Sequence, residues 1–239
     1  MALSYAELGS GPAALLIHDI ASDAEALQPL ARALADAGAR AVAYDRRGYG
    51  SSGTPEPYDG TTVAEQSRDA VALLRGLDAE PALLVAEGWG ALIALELAVR
   101  EPTLVRAVAV SDPPAYAFVA EATEELSAQR ALLEQALADG GPPAAVAAWL
   151  GADRAASESG RRAQQAHRAF FADYAGLASW AVTGGELRAV TAPVTLVTGA
   201  HTPAAIRAAA DALARRCPAA SRRDDGDLTA GAVALAKSV

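Results

Sequence analysis

The 239-residue chain holds one cysteine, Cys217, and one methionine, Met1. A lone thiol excludes intrachain disulfides and cysteine-built metal sites. Asparagine is absent, and Lys237 is the only lysine beside a large arginine set. With the high alanine content, this points to a bacterial genome rich in G and C and says nothing about chemistry. Histidine is scarce: His18, His167 and His201 are the whole supply. The apolar run around Ala91–Val99 is too short to cross a bilayer and contains Glu96. Met1–Tyr5 has no basic segment followed by an apolar one, so no secretory signal and a cytoplasmic location are expected. Positive charge is outweighed, with 20 Lys and Arg against 29 Asp and Glu, a net charge of −9. Such a surface repels phosphate backbones, so nucleic acid is not an expected partner; with no spanning run, neither is a membrane.

What the chain has in plenty is apolar residues, 52% of it, with 21% charged. That composition suits one sizeable folded domain with a full core. Ala14–Ile17 reads as a buried strand, followed by helical periodicity over 24–37 through Leu27, Leu30 and Leu34. Arg40–Tyr44 is a second strand, and Arg46–Gly53 a glycine-rich loop. Thr62-Val63-Ala64-Glu65 is a capping-box pattern opening a helix. Ala82–Ala86 is a third strand. Trp89–Arg100 is a helix apolar nearly all round, so it should be deeply buried. Val105–Val110 is a fourth strand. Residues 113–183 then read as helical throughout. Alternation resumes with a strand at Val194–Thr198, a helix after Pro203, a weak strand at Ser221–Asp224 and a last helix from Thr229. Strands alternating with helices predict an α/β fold, a mostly parallel, doubly wound sheet covered on both faces. Ligands of such sheets sit beyond the carboxyl ends of the strands. The expected organisation is a first core part at 1–112, a helical cap at 113–183 and a second core part at 184–239.

Four segments in order carry a resemblance to the α/β-hydrolase fold. Gly9-Ser10-Gly11-Pro12 with Leu15-Leu16-Ile17-His18 resembles the entry into that family's third strand. Asp45-Arg46-Arg47-Gly48-Tyr49-Gly50-Ser51-Ser52 resembles its Asp-Arg-x-Gly-x-Gly-x-Ser loop. Leu84–Ala91 stands where the family carries its nucleophile elbow, and Ser111-Asp112-Pro113-Pro114 resembles the segment leaving its sixth strand. The early start implies that the family's first strand is absent or very short.

The elbow motif is G-x-S-x-G, with serine on a strained strand-to-helix turn. Here the turn reads Ala86-Glu87-Gly88-Trp89-Gly90. Gly88 takes the nucleophile position without a side chain, which excludes both the serine of esterases and the elbow aspartate that dehalogenases and epoxide hydrolases of this fold use. The resemblance puts His201 near the family's acid and Asp227 near its late histidine. A nucleophile–base–acid triad is therefore not expected. The oxyanion donors implied are the backbone N–H groups of Ile20 and Trp89. Candidate acid–base groups are Asp19 and Glu87, then Asp112, His18, and His201 paired with Asp227. Each also has a plainer structural reading: Asp112 as a turn cap, His18 as a buried packing residue, His201 as a solvated residue ahead of a helix.

Seven of the twelve aromatics fall in 113–183: Tyr116, Phe118, Trp149, Phe170, Phe171, Tyr174 and Trp180. As a lid, Tyr116, Trp149, Phe170, Phe171, Tyr174 and Trp180 would suit a bulky apolar or aromatic small molecule; as packing, they would form the cap's own core. No cofactor or metal is expected. Gly48-Tyr49-Gly50 lacks the setting of a dinucleotide fingerprint, and no histidine–carboxylate cluster has metal spacing. The resemblance implies an atypical enzyme of bacterial natural-product biosynthesis, a cyclase, carbon–carbon bond former or isomerase. The alternatives are a ligand-binding or sequestering protein without catalysis, and a weak hydrolase that activates water.

Overall fold

The computed structural model describes residues 1–120 and 122–238. Seven strands form one sheet in the order β1-β3-β2-β4-β5-β6-β7. They are β1 (Tyr5–Leu8), β2 (Ala13–Ile17), β3 (Arg40–Tyr44), β4 (Ala82–Glu87), β5 (Val105–Ser111), β6 (Val194–Val197) and β7 (Ala220–Arg223). β1 runs antiparallel to β3, and every other pairing is parallel. The expected parallel sheet is thus present, with one added strand. β1 escaped the sequence pattern because it is an edge strand, exposed along most of Tyr5-Ala6-Glu7-Leu8. It has no buried face to impose an apolar alternation.

The inner strands are apolar on both faces because both faces are covered. Leu15 and Ile17 pack on one side of β2, Ala14 and Leu16 on the other. All four are fully buried. On the second face lie α1 (Gln28–Asp36) and α10 (Leu228–Ser238). On the first lie α2 (Val63–Gly76) and α3 (Trp89–Arg100). The predicted helix at 24–37 divides into a 3-10 turn at Ala24–Leu27 and α1, whose first turn holds Pro29. Thr62 caps α2 through the expected box with Glu65. From Trp89 to Ala98 every residue of α3 is buried, as its continuous apolar surface requires.

Between β5 and β6 the chain is helical. α4 spans Ala122–Leu150 and breaks direction at Gly141, where φ is 76° and two prolines follow. Then come α5 (Ala152–Ala156), α6 (Glu158–Gln165), α7 (His167–Gly176) and α8 (Gly184–Arg188). α9 (Ala204–Arg216) precedes β7. No described helix is long and apolar enough to cross a membrane.

Candidate functional site

Parallel strands deliver β2, β4, β5 and β6 with their carboxyl ends side by side. The register sets Ile17 opposite Ala86, and Glu87 opposite Ser111. Asp19, Gly88 and Asp112 therefore emerge together. Gly88 makes the turn from β4 into α3 at φ 49° and ψ −118°, a conformation that a side chain would strain.

Asp19 decides the character of this turn. Its Oδ1 accepts the Trp89 N–H at 2.6 Å and the Ile20 N–H at 2.7 Å. These are the two backbone donors anticipated for an oxyanion, and the chain's own carboxylate fills them. A Cβ built on Gly88 would overlap that carboxylate, standing 2.5 Å from Oδ2, the farthest of its three carboxylate atoms. Glycine at 88 and aspartate at 19 are thus one steric arrangement. Burial raises the Asp19 pKa, opposed by the Trp89 and Ile20 N–H groups and by the charges of Arg46 and Arg154.

The loop carrying Asp19 is held from behind. His18 is fully buried, pairs through Nδ1 with the Asp19 carbonyl at 2.7 Å, and accepts the Arg46 N–H on Nε2 at 3.0 Å. Both nitrogens are committed, burial and Arg46 push its pKa well down, and His18 does not line the cavity. The Arg46 side chain donates to the His18 and Asp19 carbonyls at 3.1 Å each and meets Asp173 of α7 at 2.6 Å. Both partners of that ion pair are fully buried. Tyr49 and Gln66 also donate to the Asp173 carboxylate, and the Trp89 indole donates to its carbonyl at 3.0 Å. Sequence reading placed Arg46 in a family loop but missed its role, and missed Asp173 altogether. A buried charge 127 positions away from its partner leaves no local signal.

A cavity of about 260 Å³ opens over Asp19 and Gly88. Ile20, Trp89, Asp112, Glu125, Gln129 and Arg154 contribute to its wall, with Tyr116, Trp149 and Tyr174 as the aromatic part. A second recess of about 420 Å³ shares Tyr116 and Tyr174 and reaches Trp180. Phe170 is fully buried against Trp149, Phe171 and Tyr174 and lines neither recess, so it belongs to the cap's own core. Phe171 packs there with it and also lines neither.

Glu87, one residue before the turn, has its pKa pushed up to about 7, first by burial and then by the charges of Asp19 and Asp112. Asp112 accepts the Thr202 hydroxyl at 2.6 Å and sits at φ 46° after β5. His201 and Asp227 do not form the anticipated pair. Both are exposed, neither lines the cavity, and Asp227 caps α10 by accepting the Ala230 N–H at 2.8 Å. The geometry therefore gathers Asp19 and Asp112 at the cavity wall, with Glu87 near enough to feel both charges but outside the lining, and leaves out His18, His201 and Asp227. Among the described residues no group of three His, Cys, Asp or Glu side chains is placed to hold a metal ion.

A parallel sheet, a glycine-bearing elbow and a helical cap over the strand ends define the class. Residues 12–140 match the family described as alpha/beta hydrolase fold, and the chain belongs to it. It is similar to the bifunctional epoxide hydrolase 2 of Sus scrofa, 33% identical over 112 residues, covering 47% of this chain and 20% of that one. It is also similar to an epoxide hydrolase of Caballeronia sordidicola, 35% identical over 108 residues, covering 45% and 33%. The matched segment thus spans a third or less of those relatives. An alpha/beta hydrolase of Sphaerobacter thermophilus shares the fold over 98% of this chain and 95% of its own, at a TM-score of 0.78 and 22% identity. These relatives correct the expectation of a non-hydrolytic enzyme of natural-product biosynthesis: the proteins this chain resembles in sequence are named as hydrolases.

Proposed function

We propose that this protein is a small-molecule hydrolase that acts at a saturated, electrophilic carbon, as in an epoxide, by means of its pocket carboxylates. The observation that carries this reading is the Asp19 carboxylate lodged between the Ile20 and Trp89 N–H groups. Acyl transfer needs those donors free for the oxyanion of the substrate. Here they are taken, and no serine side chain stands at Gly88 to attack a carbonyl. Ring opening of an epoxide has no such requirement, since its charge develops on the departing ring oxygen. What it needs is a carboxylate against the reacting carbon, either to attack it or to take a proton from attacking water. Asp19 provides one in the cavity wall, and Glu87, with its pKa raised to about 7, lies behind the wall within reach of the Asp19 charge. The names of the epoxide-hydrolysing relatives agree with this substrate class. The aromatic walls favour an epoxide with an apolar or aryl substituent.

The test compares styrene oxide with p-nitrophenyl acetate. The wild type should convert the epoxide to its diol, with Asp19→Asn slower by roughly 10²-fold or more. The ester should be cleaved at the same low rate by both proteins. Ester turnover that depends on Asp19, with the epoxide untouched, would remove the proposal.

A further inference from the structure

We propose that Asp19 is the covalent nucleophile of this site, a side chain supplied by the loop after β2 in place of the one missing at Gly88. The inference rests on the hydrolase reading above and goes further in naming the attacking atom, Oδ2.

Three observations converge on it. The first is position. The Asp19 carboxylate occupies the space into which a side chain at residue 88 would project, since a Cβ there would overlap it. The elbow thus presents a carboxylate from a different element, with Oδ1 nearest the position of a Gly88 Cβ and Oδ2 farther out. The second is the division of labour between the two oxygens. Oδ1 holds both backbone donors. Oδ2 has no hydrogen-bond partner among the described residues, and Asp19 lines the cavity. The third is rigidity. The Asp19 carbonyl is bound by His18 Nδ1 and by Arg46, whose guanidinium is itself locked to Asp173. A carboxylate fixed at its carbonyl and at Oδ1 does not have to reorganise before attack. Burial also raises its basicity, which favours nucleophilic attack.

The chemistry closes on these groups and water. Asp19 Oδ2 attacks a ring carbon, the C–O bond of the epoxide breaks, and the ring oxygen leaves as an alkoxide. That alkoxide takes a proton from water, giving a hydroxy ester of Asp19 and hydroxide. Hydroxide adds to the Asp19 Cγ, and the negative charge then forms on Oδ1, between the Ile20 and Trp89 N–H groups. The oxyanion site thus serves the enzyme's own ester, not a substrate carbonyl. Collapse breaks the bond from Cγ to Oδ2, the departing oxygen takes the acid proton, and carboxylate and diol result. One oxygen of the diol comes from Asp19, and the carboxylate regains one from water.

Oxygen-18 water provides the test. Wild-type protein in excess over styrene oxide is taken through a single turnover and digested for mass spectrometry. The label should appear in the peptide containing Asp19, while the diol formed in that turnover carries unlabelled oxygen. Acid quenching during turnover should add the mass of one probe molecule to the same peptide. Asp19→Asn should give no adduct while keeping the wild-type circular dichroism. Label in the diol with none on Asp19 would mean direct attack by water; it would overturn the nucleophile and leave the hydrolase reading standing. Label on Glu87 instead would also overturn it. Failure to consume the epoxide at all would overturn both.

Discussion

Placing a methyl group on Gly88 perturbs the site at its tightest point. In Gly88→Ala the new Cβ meets the Asp19 carboxylate, and the turn must also hold φ 49° and ψ −118° with a side chain present. The backbone strain costs about 1–3 kcal/mol. Expelling the carboxylate breaks two charge-assisted hydrogen bonds, each worth about 1.5–3 kcal/mol. The variant should therefore lose about 4–9 kcal/mol if nothing relaxes, and less if the loop moves. The decisive quantity is the coupling. In an Asp19→Ala background there is no carboxylate to expel, so adding Gly88→Ala should cost only the backbone strain. A double-mutant cycle by urea denaturation, followed through tryptophan fluorescence, should then give a coupling of about 3 kcal/mol or more. Trp89, buried beside the turn, makes the signal local as well as global. Equal costs of Gly88→Ala in the two backgrounds, within about 0.5 kcal/mol, would refute the steric argument.

Two further outcomes follow from the same geometry. Asp173→Ala leaves Arg46 charged and buried without its partner, which should cost about 3–5 kcal/mol. For a chain of this size that lowers Tm by about 6–20 °C, and a melt within about 2 °C of wild type would contradict the bracing role. Glu87 makes stability depend on pH. Its folded pKa of about 7 lies above its ordinary 4.5, so the folded state holds the proton more tightly. The stability this contributes is full below about 4.5 and lost as pH rises to about 7, a change of about 3 kcal/mol. Glu87→Gln should therefore be more stable than wild type above pH 7, and a constant difference from pH 4 to 8 would show that the group is not perturbed.

The sheet and the helices facing it were legible because burial on both faces imposes long apolar runs, as in Ala14–Ile17 and Trp89–Ala98. β1 was not, because an exposed edge imposes nothing. The positions of Gly88, Ile20 and Trp89 followed from resemblance at the elbow, yet their meaning did not. A sequence shows which backbone groups stand near a turn; whether a side chain from the loop after the neighbouring strand fills them is a matter of loop geometry. Asp19 was recognised as a chemical candidate, and its occupancy of the donors was beyond reach. The pairing of His201 with Asp227 failed for a local reason, since Asp227 is engaged at the start of its own helix. The aromatic residues divided as packing demands: the most buried, Phe170, went to the cap core, while the half-exposed Tyr116, Trp149 and Tyr174 kept a face for the cavity.

The shared space of Gly88 and Asp19 also constrains which substitutions this turn accepts. A side chain at 88 and a carboxylate lodged at 19 cannot coexist in this turn. Glycine at 88 is therefore a precondition for the Asp19 carboxylate to sit on the two donors. Serine at 88 gains no room while the Asp19 carboxylate is lodged there, and no histidine stands in the late position, which Asp227 holds. Changes at 88, at 19 and at the late-histidine position would have to arrive together, so no single substitution rebuilds a serine elbow in this turn.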